Sequence, residues 1–129
     1  VVSGHSAGGH LTAAMLAADR HVPGASPLAL AGALPISGLF DLEPLSRIGL
    51  NDTLKMDAEE AARLSPMRVV SRDFPPVIAA VSIDYAAAIR TAGGKARSLI
   101  VPRGNHFTVL DALGDAKGVL FEAACELLG

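Results

Sequence analysis

The sequence has few aromatic residues and a single cysteine. Aromatic side chains make up 4% of its 129 residues, and tryptophan is absent, so the chain offers no aromatic stacking platform from which to infer a substrate. The one cysteine, Cys125, cannot form an internal disulfide, which is compatible with a cytoplasmic location. We expect Cys125 to be a small buried thiol of the last helix rather than a nucleophile.

No charge of one sign dominates the sequence, and it has no long apolar run. The formal net charge is −2 at pH 7, from 11 basic and 13 acidic residues, and neither sign is clustered. Nucleic acids and anionic membrane surfaces bind basic patches, which this sequence lacks. No run reaches the roughly 18 apolar residues of a membrane-spanning helix, and the first residues do not have a signal-peptide pattern. We therefore expect no nucleic-acid partner and no membrane segment.

The length and the hydropathy indicate a portion of one domain. A chain of 129 residues is long enough for one domain and too short for two. Hydrophobic residues make up 50% of it and the mean hydropathy is +0.40, which is typical of a segment rich in buried elements. The sequence does not begin with Met and opens within an apolar strand. We expect residues 1–129 to be a piece of a larger domain.

Short apolar runs alternate with helical patterns along the chain. The apolar runs predict strands at the N-terminus and at residues 28–37, 77–81 and 98–101. Helical spacing predicts helices at 11–18, closed by Pro23 and Gly24, and at 57–63, 84–91 and 107–128, the last interrupted around 114–118. Because there are no hairpin signals, the strands must be joined by crossovers. The pattern predicts an α/β fold with about four parallel strands and flanking helices.

A serine near the start of the chain is placed for nucleophilic chemistry. It lies in Gly4-His5-Ser6-Ala7-Gly8, a G-x-S-x-G pattern between an apolar strand and a helical run. Such a turn is tight, so we expect Gly4 and Gly8 to be required because side chains there would clash. The strained turn predicts that the Ser6 hydroxyl projects over the carboxyl edge of the sheet.

Ser6 needs a general base, since a serine hydroxyl is a weak nucleophile at neutral pH. His106 follows the last predicted strand, in the loop 103–106, at the edge where ligands gather in open α/β sheets. We predict that His106 hydrogen-bonds Ser6. The amide of Ala7, at the positive end of the following helix, is the predicted donor to the oxyanion.

The acid that would orient His106 has two candidates. Asp84 follows the predicted strand 77–81 by three residues, and Asp41 follows the preceding strand. Asp84 also stands at the head of a predicted helix, where aspartate is a common N-cap that has nothing to do with catalysis. Either carboxylate, or neither, fits the sequence.

Two further histidines, His5 and His10, flank Ser6. They have no third Cys, Asp or Glu ligand at a suitable spacing, so we expect no metal site. His10 falls on the first turn of the predicted helix, where it could line a pocket or simply pack.

A resemblance to a known family rests on four segments, GHSAGGHL, PISGLFDLEPL, NDTLKMDAEEAARLSPM and VPRGNHFTVLDAL. Together they resemble the carboxyl-terminal half of an α/β-hydrolase, most similar to serine esterases of the kynurenine formamidase type, which are close to hormone-sensitive-lipase-like esterases. The resemblance implies Ser6 as nucleophile, Ala7 as oxyanion donor and His106 as base. It also implies a small-molecule substrate with an ester or an N-formyl amide, and no cofactor.

The sequence departs from this family in two places. Family members have strands and an oxyanion loop upstream of the serine turn, which this sequence does not contain. They also have a longer acid-bearing segment after the penultimate strand, whereas here residues 82–84 run directly into a helix. The alternatives to an active serine hydrolase are therefore a non-catalytic remnant and a related acyltransferase or peptidase. The unpaired apolar edge of the first strand also predicts association between copies of the chain.

Overall fold

A four-stranded parallel sheet forms the centre of the computed structural model, which describes residues 1–18, 24 and 29–129. Its strands are β1 (Val2–His5), β2 (Ala33–Ile36), β3 (Val77–Ala80) and β4 (Ala96–Leu99), paired in that order. The predicted α/β class with four parallel strands is confirmed. The last residues of the strands stand in one row across the sheet, in the order His5, Ile36, Ala80 and Leu99.

Six α-helices connect and cover the strands in the described part of the chain. They are α1 (Ala7–Leu16), α2 (Asn51–Leu54), α3 (Ala58–Arg63), α4 (Ile83–Thr91), α5 (Asp111–Gly114) and α6 (Val119–Leu128). Short 3₁₀ helices span Glu43–Arg47, Pro66–Arg68 and Thr108–Leu110. Among the described residues, none of the helices has the length and apolar character needed to cross a membrane.

Some predicted boundaries are confirmed and others differ. The Asp57 side chain caps α3 as expected, since it accepts a 2.8 Å hydrogen bond from the Glu60 amide. The first helix begins directly after Ser6, earlier than predicted. Its predicted end includes Pro23, which lies outside the described residues. Residue 28, the predicted start of the second strand, also lies outside them. The fourth strand begins and ends two residues earlier than predicted. Arg97 interrupts its apolar run, which an outer strand tolerates because the guanidinium extends to Glu126 on α6.

Helices cover the sheet on both faces. On one face, α1 and α4 pack on alternate residues of the strands, in a cluster that includes Ala13, Ile89, Ala33, Val77 and Ala79. On the other face, α6 packs on the intervening residues, in a cluster that includes Leu120, Leu127, Leu34, Ile36 and Ile78. The central strands β2 and β3 are therefore buried on both sides, as is usual in parallel sheets.

The orientation of α6 explains why the prediction of a buried Cys125 is wrong. The helix turns Leu120, Ala123 and Leu127 toward the sheet. Cys125 is two residues beyond Ala123, about 200° around the helix axis, and is exposed. An apolar composition on all sides of a helix does not indicate which side faces the core.

β1 is an outer strand that pairs only with β2 among the described strands. Exposed apolar side chains lie close to it in the chain, with Val1 41% and Leu11 61% exposed. An unpaired edge with apolar neighbours is a surface on which a further strand can add. Association of copies through this edge stays a prediction.

The residue that follows each of the first three strands has a left-handed backbone. Ser6, Ser37 and Val81 have φ values of 57°, 48° and 57°. Each of their amides donates a hydrogen bond of 2.8 to 3.0 Å to the last residue of the neighbouring strand. The chain therefore turns sharply three times at one edge of the sheet. A β-branched residue such as Val81 tolerates this backbone least.

We expect Val81→Gly to stabilise the protein. A left-handed backbone costs a residue with a side chain roughly 1–2 kcal/mol, and the Val81 side chain is half exposed, so it contributes little burial. The greater freedom of glycine in the unfolded chain offsets roughly 0.5–1 kcal/mol, which leaves a net gain of up to about 1 kcal/mol. Urea unfolding followed by circular dichroism measures it.

Ile100→Gly is the matched control for this substitution. Ile100 is also exposed but does not have a left-handed backbone, so the glycine has only its entropic cost there and should lower the free energy of unfolding. A loss of stability in both variants would contradict the strain at Val81.

Candidate active site

Ser6 stands at the turn between β1 and α1, where the sequence predicts a strand-to-helix turn. Its backbone has φ 57° and ψ −117°, outside the regions that ordinary residues adopt. Its amide donates to the Ile36 carbonyl of β2 at 3.0 Å, and its carbonyl accepts from the His10 amide of α1 at 3.1 Å. Hydrogen bonds on both sides thus hold a conformation of a kind that costs about 1–3 kcal/mol and is concentrated at functional sites.

The turn requires glycine at position 4, as predicted, but not at position 8. A Cβ atom at Gly4 would overlap the carbonyl oxygen of Gly8, because β1 and α1 are in backbone contact there. A Cβ atom at Gly8 would meet no atom within 4 Å, so the predicted clash at Gly8 is wrong. The second required glycine is Gly9, whose Cβ would lie 2.8 Å from the Ile36 oxygen and 2.9 Å from the Gly38 Cα.

His106 lies beside Ser6 although 100 positions separate them in the sequence. Its Nε2 atom is 3.1 Å from Ser6 Oγ, which is a hydrogen-bond distance. His106 belongs to the loop between β4 and the 3₁₀ helix Thr108–Leu110. The structure thus brings together the predicted nucleophile and the predicted base, with Nε2 placed to accept the hydroxyl proton.

The loop that carries His106 is fixed by a compact set of hydrogen bonds. Asn105 Oδ1 accepts from the amides of Phe107 and Thr108 at 2.8 and 3.0 Å. The Asn105 amide in turn donates to Thr108 Oγ1 at 3.0 Å. His5 Nε2 donates to the carbonyl of His106 at 2.7 Å. These bonds connect the backbone of His106 both to the helix that follows it and to the end of β1.

The two histidines that flank Ser6 bind backbone carbonyls. His5 Nε2 must carry a proton in order to donate to the His106 carbonyl, and the two imidazole centroids are 4.8 Å apart. His10 Nδ1 donates to the Leu39 carbonyl at 2.7 Å, which fixes the chain after β2. Within the described ranges, no group of three or more His, Cys, Asp or Glu residues could hold a metal ion.

The other ring nitrogen of His106 contacts a hydroxyl rather than a carboxylate. Nδ1 is 2.9 Å from Oγ of Ser37, the residue directly after β2. Neither predicted acid hydrogen-bonds this imidazole in the part of the chain that the structure describes. Asp41 instead accepts from the amide of Glu43 in its own turn, at 3.1 Å. The structure therefore brings neither Asp84 nor Asp41 to His106.

A short connection after β3 explains the position of Asp84. Only Val81 and Ser82 separate β3 from α4, which begins at Ile83. Asp84 is consequently exposed in the first turn of α4, where its charge suits the positive end of the helix. The expectation that Asp84 orients His106 is thereby corrected, because so short a connection contains no loop that could carry a carboxylate to the imidazole.

Two residues that contact His106, Ser37 and His5, were not predicted from the sequence. The available signal for Ser37 is positional, since it directly follows a buried strand and precedes Gly38, much as Ser6 directly follows β1. The signal for His5 is its place next to Ser6. Neither signal identifies a contact until the register of β1 with β2 is known.

The amide of Ala7 is the first of α1, and Ala7 is exposed. The first amides of a helix have no intrahelical acceptor and lie at the positive end of the helix dipole. This amide is therefore available directly after Ser6. Its role as the oxyanion donor stays a prediction.

A cavity of about 290 Å³ opens beside the ends of β2 and β3 and is lined in part by Gly38, Phe40, Val81 and Tyr85. The Tyr85 and Phe40 rings stack with their centroids 4.2 Å apart. The Tyr85 hydroxyl is buried and has no hydrogen-bond partner among the described residues. Burial raises the pKa of Tyr85 far above its ordinary value, so the hydroxyl stays protonated and can donate a hydrogen bond.

Comparisons with known proteins agree with this fold. No protein-family model matches the chain. Kynurenine formamidase of Danio rerio is 31% identical over 142 residues, an alignment that covers 98% of this chain and 48% of that protein. The structure of a protein from Silicibacter sp. TM1040 that is assigned as a thioesterase has a TM-score of 0.68 and 32% identity, and covers 93% of this chain and 48% of that chain. This chain has an α/β-hydrolase fold and is similar to kynurenine formamidases.

The same fold occurs in esterase 2 of Thermogutta terrifontis, with a TM-score of 0.62 and 21% identity over 98% of this chain and 50% of that chain. The chain spans about half the length of the curated relatives it matches, so the described fold is a partial α/β-hydrolase fold. The alignment of 142 residues is longer than the 129 residues of this chain. The alignment with the Danio rerio protein therefore contains gaps in the sequence of this chain.

Alanine substitutions at the two adjacent glycines of α1 separate helix propensity from steric overlap. Gly8 and Gly9 both lie in the first turn, so alanine adds a similar helix propensity of up to about 1 kcal/mol at each. We expect Gly8→Ala to keep or raise the free energy of unfolding, because open space surrounds its Cβ. We expect Gly9→Ala to lower it by about 1–3 kcal/mol, because its Cβ would press on the Ile36 carbonyl.

Urea unfolding of both variants, followed by circular dichroism, measures this difference. Gly8→Ala is the matched control, since it has the same substitution on the same helical turn. Equal free energies of unfolding for the two variants would contradict the backbone contact between α1 and β2.

Proposed function

We propose that this chain carries the site of a serine hydrolase that cleaves carboxylic esters or N-formyl amides through an acyl-enzyme. The observation that carries the proposal is the 3.1 Å distance between Ser6 Oγ and His106 Nε2. The similarity to kynurenine formamidases supports the substrate class. Residues 1–129 are then the carboxyl-terminal portion of a single α/β-hydrolase domain.

Acylation begins when His106 Nε2 takes the proton of the Ser6 hydroxyl as Oγ attacks the acyl carbon. The negative charge that develops on the carbonyl oxygen is stabilised by the Ala7 amide, at the positive end of α1. His106 then gives its proton to the leaving alcohol or amine. The bond between the acyl carbon and the leaving group breaks, and the acyl group stays on Ser6.

Deacylation repeats these steps with water as the nucleophile. His106 removes a proton from a water molecule that attacks the acyl carbon, and then returns a proton to Ser6 Oγ as the ester bond to the enzyme breaks. The product is a carboxylic acid, or formic acid from an N-formyl amide. The half-exposed position of Ser6 and the exposed position of His106 support access of both substrate and water.

A non-catalytic hydrolase remnant is the second candidate. One observation favours it, namely that both side-chain hydrogen bonds of His106 in the described part of the chain go to serine hydroxyls and neither goes to a carboxylate. A charged acid stabilises the imidazolium that forms during catalysis. In this alternative the Ser6 hydroxyl has the reactivity of an ordinary serine.

Reaction with a fluorophosphonate distinguishes the two candidates. In an activated site the Ser6 oxygen attacks phosphorus, an O–P bond forms and fluoride leaves, which adds a phosphonyl group that peptide mass spectrometry can locate. We expect phosphonylation at Ser6 in the wild-type chain. We also expect Ser6→Ala to abolish the labelling and to lower the turnover of p-nitrophenyl acetate and of an N-formyl anilide by at least about 10³-fold.

Ser46→Ala is the matched control. Its hydroxyl donates to the Glu43 carbonyl at 2.7 Å in the 3₁₀ helix Glu43–Arg47 and has no contact with Ser6 or His106. This variant should keep the labelling and the turnover of the wild type. Absence of label on Ser6, or turnover that survives Ser6→Ala, would end the serine hydrolase proposal in favour of the remnant.

A further inference from the structure

The imidazole of His106 is held between two serine hydroxyls. Nε2 is 3.1 Å from Ser6 Oγ, and Nδ1 is 2.9 Å from Ser37 Oγ. Both serines directly follow a strand and have a left-handed backbone, with φ values of 57° and 48°. They stand side by side on the carboxyl edge, because β1 and β2 are neighbours whose last residues pair.

We propose that Ser37 is the positioning residue that fixes the tautomer of His106, in the place where serine hydrolases hold a carboxylate. This inference rests on the proposed function, because the tautomer matters only if His106 acts as a base for Ser6. In that role Nε2 must be unprotonated to accept from Ser6, so the ring proton must be on Nδ1. The Ser37 oxygen is placed to accept that Nδ1 proton.

The backbone of Ser37 is fixed well enough to orient a ring. Its amide donates to the Ala80 carbonyl of β3 at 2.9 Å. The next residue, Gly38, lies so close to α1 that a Cβ atom on it would be 2.8 Å from the carbonyl carbon of Gly9. The position of the Ser37 hydroxyl is therefore set by β3 on one side and by α1 on the other.

A hydroxyl differs from a carboxylate in what it gives to the imidazole. It supplies a hydrogen-bond acceptor, and so fixes the ring orientation and the tautomer, but it brings no negative charge. Loss of Ser37 should therefore cost less than the roughly 10⁴-fold in kcat that accompanies loss of the correct tautomer in a charged triad. We expect a decrease of about tenfold or somewhat more in kcat, with KM little changed.

Nitrogen-15 NMR of the His106 ring reads the tautomer directly and needs no turnover. In the wild type above the pH at which the ring deprotonates, we expect the Nδ1–H form to dominate. Ser37→Gly removes the hydroxyl and suits the left-handed backbone, and we expect it to shift the ring to a mixture with mostly Nε2–H. A ring in Ser37→Gly that keeps the wild-type tautomer would overturn the proposal.

Two other variants separate the effect of losing the Ser37 hydroxyl from the effect of relieving a left-handed backbone. Ser37→Asn tolerates the left-handed backbone and presents a carbonyl oxygen, so it should restore the Nδ1–H form at least in part. Lys55→Gly relieves the same backbone, with φ 56°, at a position far from His106 in the chain, and should leave the tautomer unchanged. The proposal would likewise be overturned if Ser37→Asn did not restore the Nδ1–H form of His106 and Lys55→Gly also shifted the tautomer of that ring.

The outcomes distinguish this proposal from the proposed function. If Ser37→Gly changes the tautomer while Ser6 is never phosphonylated, Ser37 positions His106 but the site is not a hydrolase. If Ser6 is phosphonylated and Ser37→Gly changes neither the tautomer nor kcat, the hydrolase stands and the role of Ser37 is refuted. Ser37→Asp adds the charge that the site lacks. We expect kcat to be lowest in Ser37→Gly, higher in Ser37→Asn and higher again in Ser37→Asp.

Discussion

The flush carboxyl edge of the sheet is the constraint on which the candidate site depends. β1 and β2 end in one row, with His5 opposite Ile36, and the next residue of each strand turns with a left-handed φ. Adjacent strands lie about 4.8 Å apart, so one imidazole can reach the hydroxyls of both turns. A slip of one residue between the strands would move Ser37 by about 3.3 Å and turn its side chain to the other face.

Features with a local signal in the sequence could be predicted. The apolar runs gave the parallel strands, and the G-x-S-x-G pattern gave the turn at Ser6. The pairing of His106 with Ser6 could also be predicted, because both follow strands of a parallel sheet and must lie at the same edge. The boundaries of an outer strand that carries a charge, as at Arg97, could not be predicted, because an exposed strand face gives no unbroken apolar run.

The third group at the imidazole could not be predicted, because it depends on loop length and strand register. The residues that directly follow β1, β2 and β3 have closely similar φ values, and their amides make equivalent hydrogen bonds to the next strand. Their side chains differ, because the residues are Ser6, Ser37 and Val81. Only the first two side chains can bond to an imidazole. The two-residue connection after Ala80 leaves Asp84 in the first turn of a helix, so the carboxylate that chain order suggests makes no hydrogen bond to the imidazole.

The exposure of the His106 imidazole decides how much stabilisation of the imidazolium is lost when its partner is a neutral hydroxyl rather than a carboxylate. His106 is exposed, and Phe107, whose ring stands edge-on to it, is 83% exposed. In water, two unit charges 4 Å apart attract each other by about 1 kcal/mol, and by about 4 kcal/mol at an effective dielectric constant of 20. A carboxylate at this edge would therefore stabilise an imidazolium only modestly, whereas the need for one tautomer is the same at any dielectric constant. A hydroxyl meets that need without the charge, so Ser37 in place of a carboxylate costs only a modest electrostatic stabilisation for a histidine as exposed as His106 is in this chain.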